Sequence, residues 1–157
     1  MKKEILRGFT MLTLMVALAL ATAAVSANAQ SRSSMMANIP FEFVVGDQTL
    51  PAGEYNVRAM NAARDALIVQ GTENGKSAIR LSNSTGELKN RTHARLVFHR
   101  YGQRYFLAQV WDGETVGRDL TKSKQERAIE RELASIPSKS DVARNAYETV
   151  EVVAVLR

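Results

Sequence analysis

The chain of 157 residues contains no cysteine. That absence excludes disulfide bonds, thiolate metal sites, a cysteine nucleophile and the lipid attachment of a bacterial lipoprotein. The sequence also has only two histidines and one tryptophan, and it has no block of like charge. A domain built from it must be stabilised by core packing alone, which is feasible for a chain of this length.

Long apolar runs are missing except near the start, where residues 11–25 form one. Cationic residues precede the run and small residues follow it at Ala27 and Ala29, the pattern of a signal peptide with its cleavage site. A retained membrane anchor is the competing interpretation, but about 15 apolar residues are too few for a helix that spans a membrane. We therefore predict a signal peptide over 1–29 and a periplasmic or secreted mature protein with no transmembrane span.

Removal of this leader leaves one domain of modest charge. Removing 29 of the 157 residues leaves 128, which is enough for a single core. The leader contains three basic residues and one acidic residue, so its removal lowers the formal net charge from +5 to +3. A mild positive excess favours an envelope protein or an anionic polymer as the partner, and nucleic acid is not expected. The sequence does not indicate the oligomeric state.

The mature chain has the period of β-strands. Residues 30–37 are small or polar without a period, which predicts a disordered segment before a β domain over 38–157. From Ile39 onward apolar and polar residues alternate. Asn74-Gly75 predicts a hairpin with a type I′ turn, and residues 83–90 have the composition of an exposed loop.

A second hairpin is predicted around the three residues 101–103, which include a glycine. Alternation in its two strands gives a set of apolar residues that we expect to face the core together: Leu96, Phe98, Phe106, Ala108 and Val110. The last predicted strand, 147–157, is apolar on both faces late in the run. That pattern favours a central or barrel-closing position over a sheet edge.

One segment departs from the two-residue period. Ser123 and Glu126 have the spacing of a capping box, and apolar residues recur at helical intervals from Ile129. We predict one amphipathic helix over 124–135 that lies against the sheet. On its exposed side, Lys122 is expected to pair with Glu126 and Arg127 with Glu130.

These patterns predict a mainly β fold, a single antiparallel β-barrel or sandwich of seven or eight short strands with the helix near 124–135. A closed barrel would also permit a lipocalin-like carrier of a small apolar ligand. Four phenylalanines distinguish the two cases, because they either fill the interior or line a cavity: Phe41, Phe43, Phe98 and Phe106.

No catalytic, cofactor-binding or metal-binding residue is predicted. His93 and His99 are about 20 Å apart along a straight strand, so they cannot share a metal ion and are expected at the surface or at the rim of the sheet. No serine has the surroundings of a nucleophile elbow, and the carboxylates suit outer strand or turn positions. An enzyme, such as an envelope hydrolase, is therefore the least favoured interpretation.

The candidate ligand or partner surface is a basic and aromatic set consisting of Arg100, Tyr101, Arg104, Tyr105 and Trp111. Guanidinium and phenol groups at a hairpin tip can stack on sugars or bind an anionic group. The same residue types are also favoured cross-strand partners, so a packing role is the competing interpretation.

Five segments carry a resemblance, and in chain order they read IPFEF, LPAGEY, RYGQRYFLAQVW, GRDL and SKQERAIEREL. Together they resemble a group of small exported bacterial proteins of unknown function. The resemblance covers nearly the whole mature chain and implies an exported, cysteine-poor β domain. It implies no activity, cofactor or site residue. The leading hypothesis is therefore a non-enzymatic domain with a binding or structural role in the cell envelope.

Overall fold

The computed structural model describes most of the compact unit Ser33–Arg157, namely residues 34–61, 63–87, 93–113, 116–135 and 147–157. The predicted signal peptide and its cleavage residues Ala27 and Ala29 lie outside the described residues. The described residues form eleven strands and one helix: β1 Ser34–Ile39, β2 Phe43–Val45, β3 Gln48–Leu50, β4 Gly53–Ala59, β5 Ala66–Gly71, β6 Ser77–Glu87, β7 Ala94–Tyr101, β8 Arg104–Asp112, β9 Val116–Leu120, α1 Lys124–Ala134, β10 Glu148–Val153 and β11 Val155–Leu156. The predicted mainly β fold with one helix is confirmed, with more strands than the expected seven or eight.

The strands form one mixed sheet in the order β10-β7-β8-β9-β6-β5-β4-β1-β11. A short hairpin, β2–β3, joins it where β2 runs parallel to the start of β8. The other strand pairs are antiparallel. Because the sheet is mixed and is not closed, the expectation of a wholly antiparallel barrel or sandwich is not met.

The C-terminal segment supplies both ends of this strand order. β10 pairs with β7, and β11 pairs with β1. The change of partner occurs at Ala154, whose N–H donates to the Ala94 carbonyl at 2.9 Å. Each half pairs on one side only, and Val153 and Val155 are 70% and 67% exposed. The prediction of one central strand over 147–157 is therefore wrong, and the alternative of a barrel-closing strand is not confirmed, because the sheet is not closed.

The first strand begins earlier than expected. β1 pairs with β4 along its whole length, from Ser34 opposite Arg58 to Ile39 opposite Gly53. Its inward face carries Met35, Ala37 and Ile39, which are buried in the core. Residues 34–37 were expected to be disordered, and the structure places them in a strand, because Met35 and Ala37 supply the alternation that the polar composition concealed.

The hairpin turns match the sequence in part. The hairpin at Asn74-Gly75 is confirmed, but only Gly75 has a positive φ, of 64°, whereas a type I′ turn needs two such residues. In the β7–β8 hairpin Tyr101 pairs with Arg104, so the turn has two residues instead of three. β6 continues to Glu87, so the predicted loop is wrong up to that residue, and residues 88–90 lie outside the described part.

A β-bulge interrupts the pairing of β7 with β8. Val97 lies opposite Gln109, and Phe98 lies opposite Leu107, which leaves Ala108 as the extra residue of β8. An extra residue reverses the inward and outward alternation of the strand that follows it.

The bulge separates the five apolar residues that were expected to share a face. Leu96, Phe98 and Val110 lie in the main core, as predicted. Phe106 lies on the other side of the sheet, in a second cluster with Val44 and Tyr101, so the prediction is wrong for this residue. Ala108 is buried at the bulge.

The main core is filled by large side chains from several strands. Phe43, Tyr55 and Phe98 are at most 1% exposed, and the Phe43 ring makes edge contacts with the other two at centroid distances of 5.0 and 5.5 Å. Two of the four diagnostic phenylalanines, Phe43 and Phe98, therefore fill the interior instead of lining a cavity.

Helix α1 covers the second cluster. Ser123 caps it as predicted, since its Oγ accepts from the Glu126 N–H at 3.0 Å. Ile129 and Leu133 pack on the second cluster. In the part of the chain that the structure describes, no helix has the length and apolar character needed to cross a membrane.

Candidate functional site

The structure divides the predicted surface set between two faces of the hairpin. Arg100 lies opposite Tyr105, and Tyr101 lies opposite Arg104. Neighbouring residues of a strand point to opposite faces, so the two pairs are separated by the sheet. Trp111 lies opposite Arg95, six residues along β7 from Tyr101, or about 20 Å. The five residues therefore do not form one site.

Arg100 and Tyr105 form a packed stack. The Arg100 guanidinium lies 5.6 Å from the Tyr105 ring, which is stacked on Phe41 at a centroid distance of 3.9 Å. Arg100 also donates to the Gly102 carbonyl at 2.8 Å and pairs with the exposed Glu148 at 3.1 Å. These contacts satisfy the guanidinium locally and support the packing interpretation for this pair.

Trp111 is a packing residue as well. Its side chain is 3% exposed, and the Arg95 guanidinium lies 4.8 Å from its ring. A Cβ on Gly117 would lie 2.5 Å from the indole, so only glycine permits this approach of β9.

Tyr101 and Arg104 contact α1. The Tyr101 hydroxyl donates to Glu130 at 2.9 Å, and the side chain is buried. Arg104 is exposed, and its guanidinium donates to Gln125 and lies 5.2 Å from the Phe106 ring. Arg104 is thus the member of the predicted set that is most available to a partner.

Sequence reasoning missed a group of polar side chains between α1 and the sheet, which we call the polar cluster: His99, Tyr101, Lys122, Glu126, Glu130 and Tyr147. At its centre Glu126 is only 2% exposed, and its Oε1 lies 2.8 Å from His99 Nδ1. These two atoms are within hydrogen-bond distance, so the contact joins α1 to β7. His99 was expected at the surface or at the rim of the sheet; its side chain is 13% exposed, so a fully surface position is excluded.

The second carboxylate of the cluster, Glu130, joins a phenol to an ammonium group. Glu130 accepts hydrogen bonds from Tyr101 and from Lys122. Lys122 was predicted to pair with Glu126, and that prediction is wrong. Burial opposes the charged form of Glu130, but the hydrogen bonds from Lys122 and Tyr101 outweigh it and lower the pKa of Glu130. The bond to Glu130 likewise outweighs burial and raises the pKa of Lys122. Burial and the bond to Glu130 both raise the pKa of Tyr101.

Tyr147 closes the cluster on one side. Its ring stacks on His99 at a centroid distance of 3.8 Å and an interplanar angle of 27°, and Lys122 Nζ lies 5.9 Å from the ring. Tyr147 is 37% exposed. The imidazole is therefore packed against carboxylate on one side and a phenol ring on another.

Arg80 fixes the approach of the chain to α1. Its guanidinium, from β6, donates to the carbonyls of Thr121 at 2.8 Å and Lys122 at 3.0 Å. Because Ser123 then caps the helix, this contact places Lys122 and Glu126 at defined positions over β7. The sheet, and not the helix alone, sets the geometry of the polar cluster.

We assign the polar cluster the role of attaching α1 to the sheet. A histidine–glutamate pair can position a general base, but the nearby hydroxyl of Ser123 is used in capping, and Tyr101 is bonded to Glu130. Within the described ranges no group of three His, Cys, Asp or Glu residues could hold a metal ion. Its hydrogen bonds join α1 to β7, and we assign it that role.

Because Glu126 and Glu130 point toward the sheet, the outer side of α1 carries mainly cations. Lys124, Arg127 and Arg131 are exposed and recur at helical intervals of three and four, so they form one row, which we call the cationic stripe. The inward face carries Glu126 and Glu130. The signal in the sequence was this separation of acidic and basic residues by helical phase, which the capping-box interpretation of Glu126 concealed.

A second basic feature lies at the opposite end of β8 from Arg104. A cavity of about 30 Å³, which we call the arginine cavity, is lined by Arg58, Arg64, Arg118 and Asp112 over an apolar floor. Arg64 pairs with Asp112 at 2.6 Å, and Arg118 donates to the Ala63 carbonyl at 2.7 Å.

Arg64 has an unusual backbone. It has a φ of 55°, the left-handed region, which costs a non-glycine residue about 1 kcal/mol or more. Its carbonyl accepts from the Ser82 hydroxyl at 2.8 Å, and its N–H donates to the Asn61 carbonyl at 3.2 Å. These bonds hold the turn in a conformation that aims the side chain at Asp112.

No family model, curated protein or solved structure matches the chain. Function is therefore argued from these three features, the polar cluster, the cationic stripe and the arginine cavity.

Proposed function

We propose that the protein is an exported, non-enzymatic β domain that binds an anionic polymer of the cell envelope through the cationic stripe and Arg104. The observation that carries the proposal is the uneven charge on α1, where Glu126 and Glu130 face the sheet while Lys124, Arg127 and Arg131 face outward and Glu132 is the one exposed acid of the helix.

Stability of the helix explains only Arg131, which lies in the last turn, where the helix dipole favours a cation. Arg127 and Arg131 are like charges at i and i+4, which disfavours a helix by about 0.2 to 0.5 kcal/mol. Lys124 lies in the first turn, where the helix dipole disfavours a cation. A row of positive charges kept at this cost is typical of a surface that attracts a polyanion.

The β-sheet is suited to holding α1 in place as a binding surface. β10 and β11 end the strand order yet are consecutive in the chain, so we propose a barrel-like scaffold whose C-terminal segment changes its partner strand from β7 to β1 at Ala154. Such a scaffold holds α1 in a fixed orientation, and the filled interior favours surface binding over the lipocalin-like carrier.

Export is part of the proposal and rests on the sequence. The leader pattern ending at Ala29 and the resemblance to small exported proteins both support a periplasmic or secreted location.

The test compares two double variants that each remove two positive charges. Arg127→Gln/Arg131→Gln alters the stripe, and Lys76→Gln/Arg157→Gln alters exposed cations elsewhere. Binding of purified protein to heparin, a sulfated polymer, is measured by isothermal titration calorimetry at several salt concentrations. We expect the stripe variant to lose about tenfold or more in affinity, at about 1 kcal/mol per charge, and the control to change less than threefold.

Two outcomes would overturn the proposal. Equal losses in the two variants would show that net charge alone attracts the polymer. Absence of heparin binding, together with binding of poly-glutamate, would indicate an acidic protein partner instead of a polysaccharide.

A further inference from the structure

The charged side chains that line the arginine cavity are mostly positive. Among the described residues that line it, three are arginines, Arg58, Arg64 and Arg118, and one is an acid, Asp112, which pairs with Arg64. The floor consists of core residues, including Val57 and Val110, which are at most 3% exposed. An apolar floor lowers the local dielectric and strengthens the attraction of the rim for an anion.

The side chains of this rim are held in place by the fold. Arg118 is anchored by the Ala63 carbonyl, and Arg64 by Asp112. Arg64 is also the one non-glycine residue with a positive φ in the described part of the chain, and Ser82 and Asn61 fix that conformation. Strained backbone that the surroundings hold in place is concentrated at ligand sites.

From these observations we propose that the arginine cavity binds a small oxyanion, the head group of a carboxylate or a phosphate. Guanidinium groups match both oxyanions with paired N–H donors, and a volume of about 30 Å³ is too small for a large ligand. The site is separate from the cationic stripe, since β8 runs from Arg104 beside α1 to Asp112 at the cavity. It therefore does not depend on the proposed polymer binding.

Asp112 gives the site a built-in competitor. Its carboxylate lies 2.6 Å from Arg64 and occupies the position that an incoming oxyanion would take. A ligand must share or displace this contact, so removal of the Asp112 charge is expected to strengthen anion binding. A role limited to structure gives no reason for that increase.

The experiment titrates the purified protein separately with sodium acetate and with inorganic phosphate at constant ionic strength, following backbone amides by NMR. We expect saturable shifts at Arg58, Arg64 and Arg118 with at least one of the two anions. Saturation by acetate alone assigns a carboxylate, and saturation by phosphate alone assigns a phosphate head group. No saturable shift with either anion would overturn the proposal.

Three variants sharpen the test. Arg58→Gln is expected to weaken anion binding about tenfold, because one charge-assisted hydrogen bond to the anion is lost. Asp112→Asn is expected to strengthen anion binding about tenfold, because the competing carboxylate is removed. Lys76→Gln, the matched control outside the cavity, is expected to leave affinity unchanged. If Asp112→Asn fails to fold, Arg58→Gln and the control still decide, because equal affinities in these two would contradict the site.

Discussion

The main core and the interface beneath α1 hold their parts together by different chemistry. The main core is made of buried apolar side chains from the strands, with the Phe43 ring in contact with those of Tyr55 and Phe98. The interface beneath α1 combines a small apolar cluster with the polar cluster and its buried Glu126. The sheet therefore depends on apolar area, and the helix depends on charge pairing as well.

The largest expected effect is in the main core. Phe98→Ala removes a fully buried ring and leaves a cavity, so we expect the free energy of unfolding to fall by about 3 to 5 kcal/mol. Urea unfolding followed by Trp111 fluorescence measures this fall. A loss below about 1 kcal/mol would contradict the importance assigned to the core.

A smaller and local effect is expected in the polar cluster. Glu126→Gln keeps the shape but removes the charge that His99 contacts, and should weaken the attachment of α1 by about 2 kcal/mol. Urea unfolding is followed at Ile129 on the helix, by methyl NMR, and at Trp111 on the sheet, by fluorescence. We expect the Ile129 transition to move to lower urea and precede that of Trp111. The exposed Glu132→Gln is the control, and equal effects of both variants would contradict the proposal.

The attachment of α1 should also depend on pH. The lowered pKa of Glu130 gives stability that is complete above the ordinary value of 4.5 and is lost as pH falls through the lowered pKa. The raised pKa of Tyr101 gives stability that is complete below its ordinary value of 10.0 and is lost as pH rises beyond it.

Two variants test which group causes the loss of stability at acid pH, the acid limb, and which causes the loss at alkaline pH, the alkaline limb. Unfolding is measured from pH 3 to pH 11 on wild type, Glu130→Gln and Tyr101→Phe, each expected to cost about 1 kcal/mol at neutral pH. Glu130→Gln should flatten the acid limb, and Tyr101→Phe should flatten the alkaline limb. Unchanged limbs in both variants would show that other groups cause the dependence.

The smallest effect is expected on the outer side of the helix. Arg127→Gln removes a like-charge neighbour of Arg131, so stability should stay constant or rise by about 0.2 to 0.5 kcal/mol. Thermal unfolding at low ionic strength measures the change. A loss of more than about 1 kcal/mol would show that the stripe is structural.

The sequence was informative where structure is local. Alternation predicted the strands, Asn74-Gly75 predicted a hairpin, and Ser123 predicted the start of α1, because each depends on neighbouring residues. The bulge at Ala108 left no local pattern, so Phe106 was placed on the wrong face. The strand at 34–37 was missed because its partner β4 is distant in sequence.

The sites depend on contacts between distant segments. Glu126 reads as a capping residue in sequence, and only the packing of α1 on β7 brings it to His99. Arg64 and Asp112, 48 residues apart, meet because the strand order brings their turns together. Of the predicted surface set only Arg104 remains part of a proposed site, since Tyr101 and Trp111 are buried.

Native-state hydrogen exchange compares the two regions most directly. The account predicts that amides of α1 open with a lower free energy than amides of β4 and β5, because charge pairing and a small apolar cluster hold the helix. It further predicts that acid pH lowers the opening free energy of α1 while that of β4 and β5 changes less. A single opening free energy shared by helix and strands, falling together with pH, would contradict it.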